Sequence, residues 1–84
     1  MEISAQERFD QLTDVLEYAN RQNREKFTAG EKIMMHQERA ECLTVLNQLR
    51  TGEKVKPRER IVSTKIEVKI RQVVQWLNIK PLNN

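Results

Sequence analysis

His36 and Cys42 are the only histidine and the only cysteine in the chain, and they are the first residues to test for chemistry. On a helix, at ~100° per residue, two positions this far apart point in different directions, so they do not form a ligand pair. No CxxC, HExxH or EF-hand spacing occurs anywhere in the sequence. Cys42 falls among apolar neighbours, where cysteine behaves as a small buried hydrophobe; a nucleophile would need a base beside it and partial exposure. Glu7, Asp10, Asp14 and Glu17 are the only clustered carboxylates in the first segment. Acid/base work requires one carboxyl of a pair to be desolvated, and these four share one polar helical face, which reads as solvated charge. Gly30 and Gly52 stand apart, with no glycine-rich phosphate loop around either. The expectation is a protein that is not an enzyme, with no metal, no cofactor and no small-molecule substrate.

The remaining charged residues are unevenly distributed. Residues 1–49 carry six basic and nine acidic side chains, a net −3, whereas residues 50–84 carry nine and three, a net +6. Arg50, Lys54, Lys56, Arg58 and Arg60 crowd one stretch, and Lys65, Lys69 and Arg71 continue it. Clusters of this kind bind phosphate backbones and release counterions. Lys and Arg near a helix N-terminus also oppose the macrodipole, which points to a partner for them. The same split would arise from an acidic helix packed beside a basic one. No helix-turn-helix turn, zinc module or RNP-type aromatic motif accompanies the charge.

Three helical segments position these residues. Ser4-Ala-Gln-Glu7 is a capping box, after which Phe9, Leu12, Leu16 and Ala19 form one stripe of 3.6-residue period. That helix frays over Asn20–Asn23, with Tyr18 half exposed between its two faces. Thr28-Ala-Gly-Glu31 is a second capping box, with Phe27 just outside it as a staple residue. Met35, Cys42, Leu46 and Leu49 make the seam of the second helix, broadened by Leu43. Arg39 interrupts that seam, its stem expected to lie along apolar surface with the head in water. Gly52 supplies a left-handed stop, residues 52–56 form a linker, and Pro57 suits the first turn of a third helix ended by Pro81.

Two periods compete in residues 61–71. Val62, Ile66, Ile70, Val73 and Leu77 repeat as a helical stripe, with Val74 beside them. Val62, Thr64, Ile66, Val68 and Ile70 also alternate as a half-buried strand would. A lone strand leaves its backbone groups unpaired, and no second strand-like run exists nearby, so the helix is the expectation. On that helix Ile61, Val68 and Ile79 fall about 180° from the core stripe, with Trp76 at the flank. Two nearly opposite apolar stripes mean burial on both sides or an adhesive face.

The sequence has 84 residues and a mass of 10.0 kDa, with 38% apolar and 32% charged residues, enough for one small domain spanning 1–84. Its longest apolar run is Ile33-Met34-Met35, far short of the ~20 residues of a membrane span, and no secretory h-region follows Met1-Glu2. The expected architecture is all-α: a small bundle of about three helices, near 4–22, 28–51 and 57–79. The expected role is that of a cytoplasmic accessory or regulatory protein, an adaptor or inhibitor. It would bind another protein, or itself, through Ile61, Val68, Trp76 and Ile79, with the acidic face of the first helix as a secondary contact. The alternative is a nucleic-acid-binding regulator that uses Arg50, Lys54, Lys56, Arg58, Arg60, Lys65, Lys69 and Arg71. A short chain without catalytic equipment also fits the proteins of phages and other mobile elements.

Overall fold

Three α-helices in the order α1 (Ala5–Arg21), α2 (Ala29–Thr51) and α3 (Thr64–Ile79) build an all-α bundle, with no strand among the described residues. The computed structural model describes residues 3–55 and 59–79. Both capping boxes form. The Glu7 and Glu31 amides each donate to the capping hydroxyl, of Ser4 and Thr28, at 3.1 Å, and the two glutamates accept from the Ser4 and Thr28 amides in return. Four donors that a helix start would leave orphaned are thereby satisfied. Gly52 closes α2 at φ +78°, where a side chain would be strained. The Glu53 amide then reaches the Gln48 carbonyl at 3.0 Å and the Gly52 amide the Leu49 carbonyl at 3.4 Å, a Schellman stop.

α1 carries the centre of the core and packs against both other helices. Leu12, Val15, Leu16 and Ala19 from α1 meet Phe27 and Met35, and the stripe Val62, Ile66, Ile70 and Val73 closes the cluster. Val74 and Leu77 pack against its edge. Phe27 is therefore a core side chain, only 2% exposed, rather than an external staple.

Two charged residues lie inside this apolar interior. Arg8 and Glu38 are 5% and 3% exposed, and Arg8 Nε donates to Glu38 Oε2 at 2.7 Å. The same guanidinium forks onto Glu67 of α3, with bonds of 2.6 and 3.2 Å to its two carboxylate oxygens, and also donates to Gln11. The second oxygen of Glu38 accepts the amides of Ile61 (2.9 Å) and Val62 (3.1 Å). One arginine thus ties α1 to α2 and α3, and one carboxylate fastens the segment that leads into α3. Among the described residues no buried side-chain nitrogen or oxygen lacks a hydrogen-bond partner. That is the condition under which buried charge is tolerated.

This network explains where the third helix begins, which differs from the expected start at Pro57. Residues 59–63 are not helical, because the Ile61 and Val62 amides are committed to Glu38. Ser63 acts as the cap instead: its hydroxyl accepts from the Ile66 amide at 3.3 Å and its carbonyl from the Glu67 amide at 2.9 Å. Pro57 and Pro81 lie outside the described residues. Residues 64–71 are helical, so the strand alternative for them does not apply.

The expected seams need two further corrections. In α2 the inward line is Met35, Glu38, Cys42 and Val45, whereas Leu43 and Leu49 are 45% and 59% exposed. Arg39 is held on α1 by its head: its guanidinium lies 4.2 Å from the centre of the Phe9 ring, and its Nε donates to Thr13 Oγ1 at 2.6 Å. Phe9 is accordingly half-buried beneath it rather than a core residue.

Burial raises the pKa of the Glu38 carboxyl, but the Val62 amide, the Arg8 guanidinium and the Ile61 amide together outweigh it and hold Glu38 below its ordinary value of 4.5. A depressed folded pKa contributes stability that is present above about pH 4.5 and lost as pH falls through the folded value. For Arg8, burial lowers the pKa, yet Glu67 and Glu38 more than compensate and raise it. Arg8→Ala should cost about 3–5 kcal/mol, a large part of the ~5–15 kcal/mol typical of a domain, because it strands two carboxylates. Urea denaturation at pH 7 measures this; a loss under about 1 kcal/mol would remove the network from its central place. In the same assay Glu38→Gln should flatten the fall in stability below about pH 4.5.

Candidate functional site

α3 turns Ile66, Ile70 and Val73 into the core, so Val68 and Ile79, about half a turn away, must face outward, and Trp76 lies at the flank. Val68, Trp76 and Ile79 are 50%, 41% and 72% exposed. The Trp76 ring meets Tyr18 of α1 with centroids 5.1 Å apart and planes tilted by 48°, which fixes its orientation from one side. Ile61, assigned to the same surface on the basis of a longer helix, lies instead in the segment before α3, half-buried, with its amide on Glu38. The α3 surface therefore comprises Val68, Trp76 and Ile79 without Ile61.

Among the described residues, Lys69 and Arg50 lie at opposite ends of α2. Lys69 Nζ pairs with Glu31 at 2.8 Å in the first turn of α2 and lies 5.8 Å from the Phe27 ring. Arg50 is in the last turn of α2, where it donates to the Asn47 side chain at 3.1 Å. At 1.5 Å per residue, Glu31 and Arg50 are about 28 Å apart along the helix axis. Lys54 and Arg60 are exposed on the connection, Lys56 and Arg58 lie outside the described residues, and Arg71 reaches Glu67 at 3.8 Å from an exposed position. Lys65 is exposed and makes no ion pair among the described residues.

Sequence reasoning missed Lys26. From the turn between α1 and α2, its ammonium donates to Gln72 Oε1 of α3 at 2.8 Å. With Lys65, Lys69, Val68 and Asn23 it lines an open depression of about 610 Å³, with Glu25 as the one acidic residue on its rim. No periodicity marks Lys26, which lies between helices. The Lys69 hydrogen bond, then the Thr28 amide, hold Glu31 below its ordinary value of 4.5, with further help from the charges of Lys69 and Lys65.

A smaller groove of about 340 Å³ runs between α1 and α3, with Glu7, Asp10 and Asp14 along one side and Val74 and Leu77 along the other. All four carboxylates of the α1 face, Glu17 included, are exposed. His36 is exposed and Cys42 fully buried. Among the described residues no three His, Cys, Asp or Glu side chains are grouped so as to hold a metal ion, and no helix is long and apolar enough to cross a membrane. No family model matches the sequence, and neither the curated proteins nor the solved structures contain a match.

Trp76 is only partly covered, so Trp76→Ala should lower folding stability by about 1–2 kcal/mol and leave the helical circular dichroism intact. Loss of cooperative unfolding in that variant would make Trp76 a core anchor instead of a surface one.

Proposed function

We propose that this protein is a small non-enzymatic accessory or regulatory factor, an adaptor or inhibitor, that acts in the cytoplasm by binding another protein through the outer face of α3. The observation that carries the proposal is the exposure of Val68 and Ile79 on the side opposite Ile66, Ile70 and Val73, with Trp76 exposed at the flank. A helix that packs one apolar stripe and presents another has a second surface to bury. Trp76 has the character of a binding anchor: a large ring, oriented by Tyr18, with 41% of its surface still open. The acidic side of α1 is the secondary contact, suited to a basic surface.

Nucleic-acid binding is the second reading, supported by the net +6 of residues 50–84. It would draw on Arg60 and Lys65, since Lys69 and Arg71 already face Glu31 and Glu67.

A photo-crosslinking residue placed at Val68, in the cells that express this protein, should give a discrete protein adduct that the same residue at Thr44 on α2 does not. Trp76→Ala should weaken the complex by about 2 kcal/mol or more. Equal labelling from both positions, or an affinity untouched by Trp76→Ala in calorimetry, would refute the proposal. Duplex DNA bound at near-physiological salt, with loss on Arg60→Ala and Lys65→Ala, would replace it with the second reading.

A further inference from the structure

Building on the docking proposal above, we infer that the segment covering α3 is an acidic amphipathic helix whose carboxylates meet Lys26 and Lys65 and whose apolar side chains meet Val68, Trp76 and Ile79. Lys65, Lys69, Gln72, Trp76 and Ile79 follow one another at helical spacing of four, three, four and three residues, with Val68 beside them. They form one continuous stripe about 21 Å long at 1.5 Å per residue. Its N-terminal end is cationic and opens into the depression with Lys26, and its C-terminal end is apolar. Lys69 is already matched by Glu31, but Lys65 has no ion pair among the described residues, and the only acid on the rim is Glu25. A partner that completes this stripe therefore brings negative charge to one end and apolar side chains to the other.

A phosphate backbone would leave half of the stripe unused, since Val68 and Ile79 offer it nothing. A helix laid along the stripe, with anchors at i, i+3, i+4 and i+7, uses both halves. Charge complementarity sets register and on-rate, while burial around Trp76 supplies most of the affinity.

The test uses the full chain and fluorescence anisotropy at near-physiological salt. The probe is a labelled 20-residue helical peptide with Glu and Leu on one face. Its controls are a scrambled peptide of equal composition, a version with Lys for Glu, and duplex DNA. The ordered acidic peptide should bind, and the doubly substituted Lys26→Glu/Lys65→Glu protein should lose about tenfold or more in affinity for it while gaining affinity for the Lys peptide. Trp76→Ala should weaken both pairings. Lys65 is exposed and Lys26 half-buried, and circular dichroism of the variant establishes that it is folded. No binding, equal binding of the scrambled peptide, or tighter binding of DNA through the same lysines overturns the inference. A Val68 crosslink to a neutral or basic partner segment would also overturn it while leaving the docking proposal standing; no specific crosslink would remove both.

Discussion

Arg8 is the residue on which the arrangement of this protein depends. Its guanidinium joins Glu38 of α2 and Glu67 of α3, and Glu38 in turn accepts two backbone amides from the chain before α3. A buried ion pair can often be replaced by apolar residues of similar volume with little loss. Here that exchange is blocked at Glu38, because an apolar side chain would leave the Ile61 and Val62 amides buried without an acceptor. The charged cluster therefore fixes geometry as much as it contributes energy. It sets the level at which α1 and α2 meet, the end of the connecting segment and the rotation of α3 about its own axis.

That rotation determines the surface. With Glu67 held by Arg8 and Ile66, Ile70 and Val73 inward, the stripe from Lys65 to Ile79 must face out. The Lys69–Glu31 pair and the Lys26–Gln72 hydrogen bond fasten the same helix to the start of α2 and to the turn before it. Tyr18 supports Trp76 from α1. The presented face is thus held by contacts with elements on both sides, which lowers the ordering cost of binding.

Much of this was legible in the sequence where the cause is local. Ser4–Glu7, Thr28–Glu31 and Gly52 are side-chain and backbone signals that act within one turn, and each does what its spacing implies. The α3 stripe was legible as well, because four β-branched residues recur at a helical period. What periodicity of apolar residues cannot find is a charge that belongs to the core. Arg8 lies four residues before Leu12, and Glu38 lies between Met35 and Cys42 on the inward line. One opposite charge in each of two packed stripes was the available signal. The run of basic residues is contiguous in sequence but not in space at its described ends: Arg50 is in the last turn of α2, while Lys69 pairs with Glu31 in the first. Pro57 points to an earlier start than the structure shows, because the role of Glu38 depends on a contact over more than twenty residues.

Amide hydrogen exchange resolved by residue, comparing the wild-type protein with Glu38→Leu, which removes the acceptor, tests the central claim most directly. If Glu38 fastens the entry to α3, the Ile61 and Val62 amides are protected in the wild type. In the variant they lose protection together with the α3 amides, while the α1 and α2 amides at Leu12, Leu16 and Met35 keep most of theirs. Unchanged protection at Ile61, Val62 and α3 in a folded Glu38→Leu variant would contradict the account.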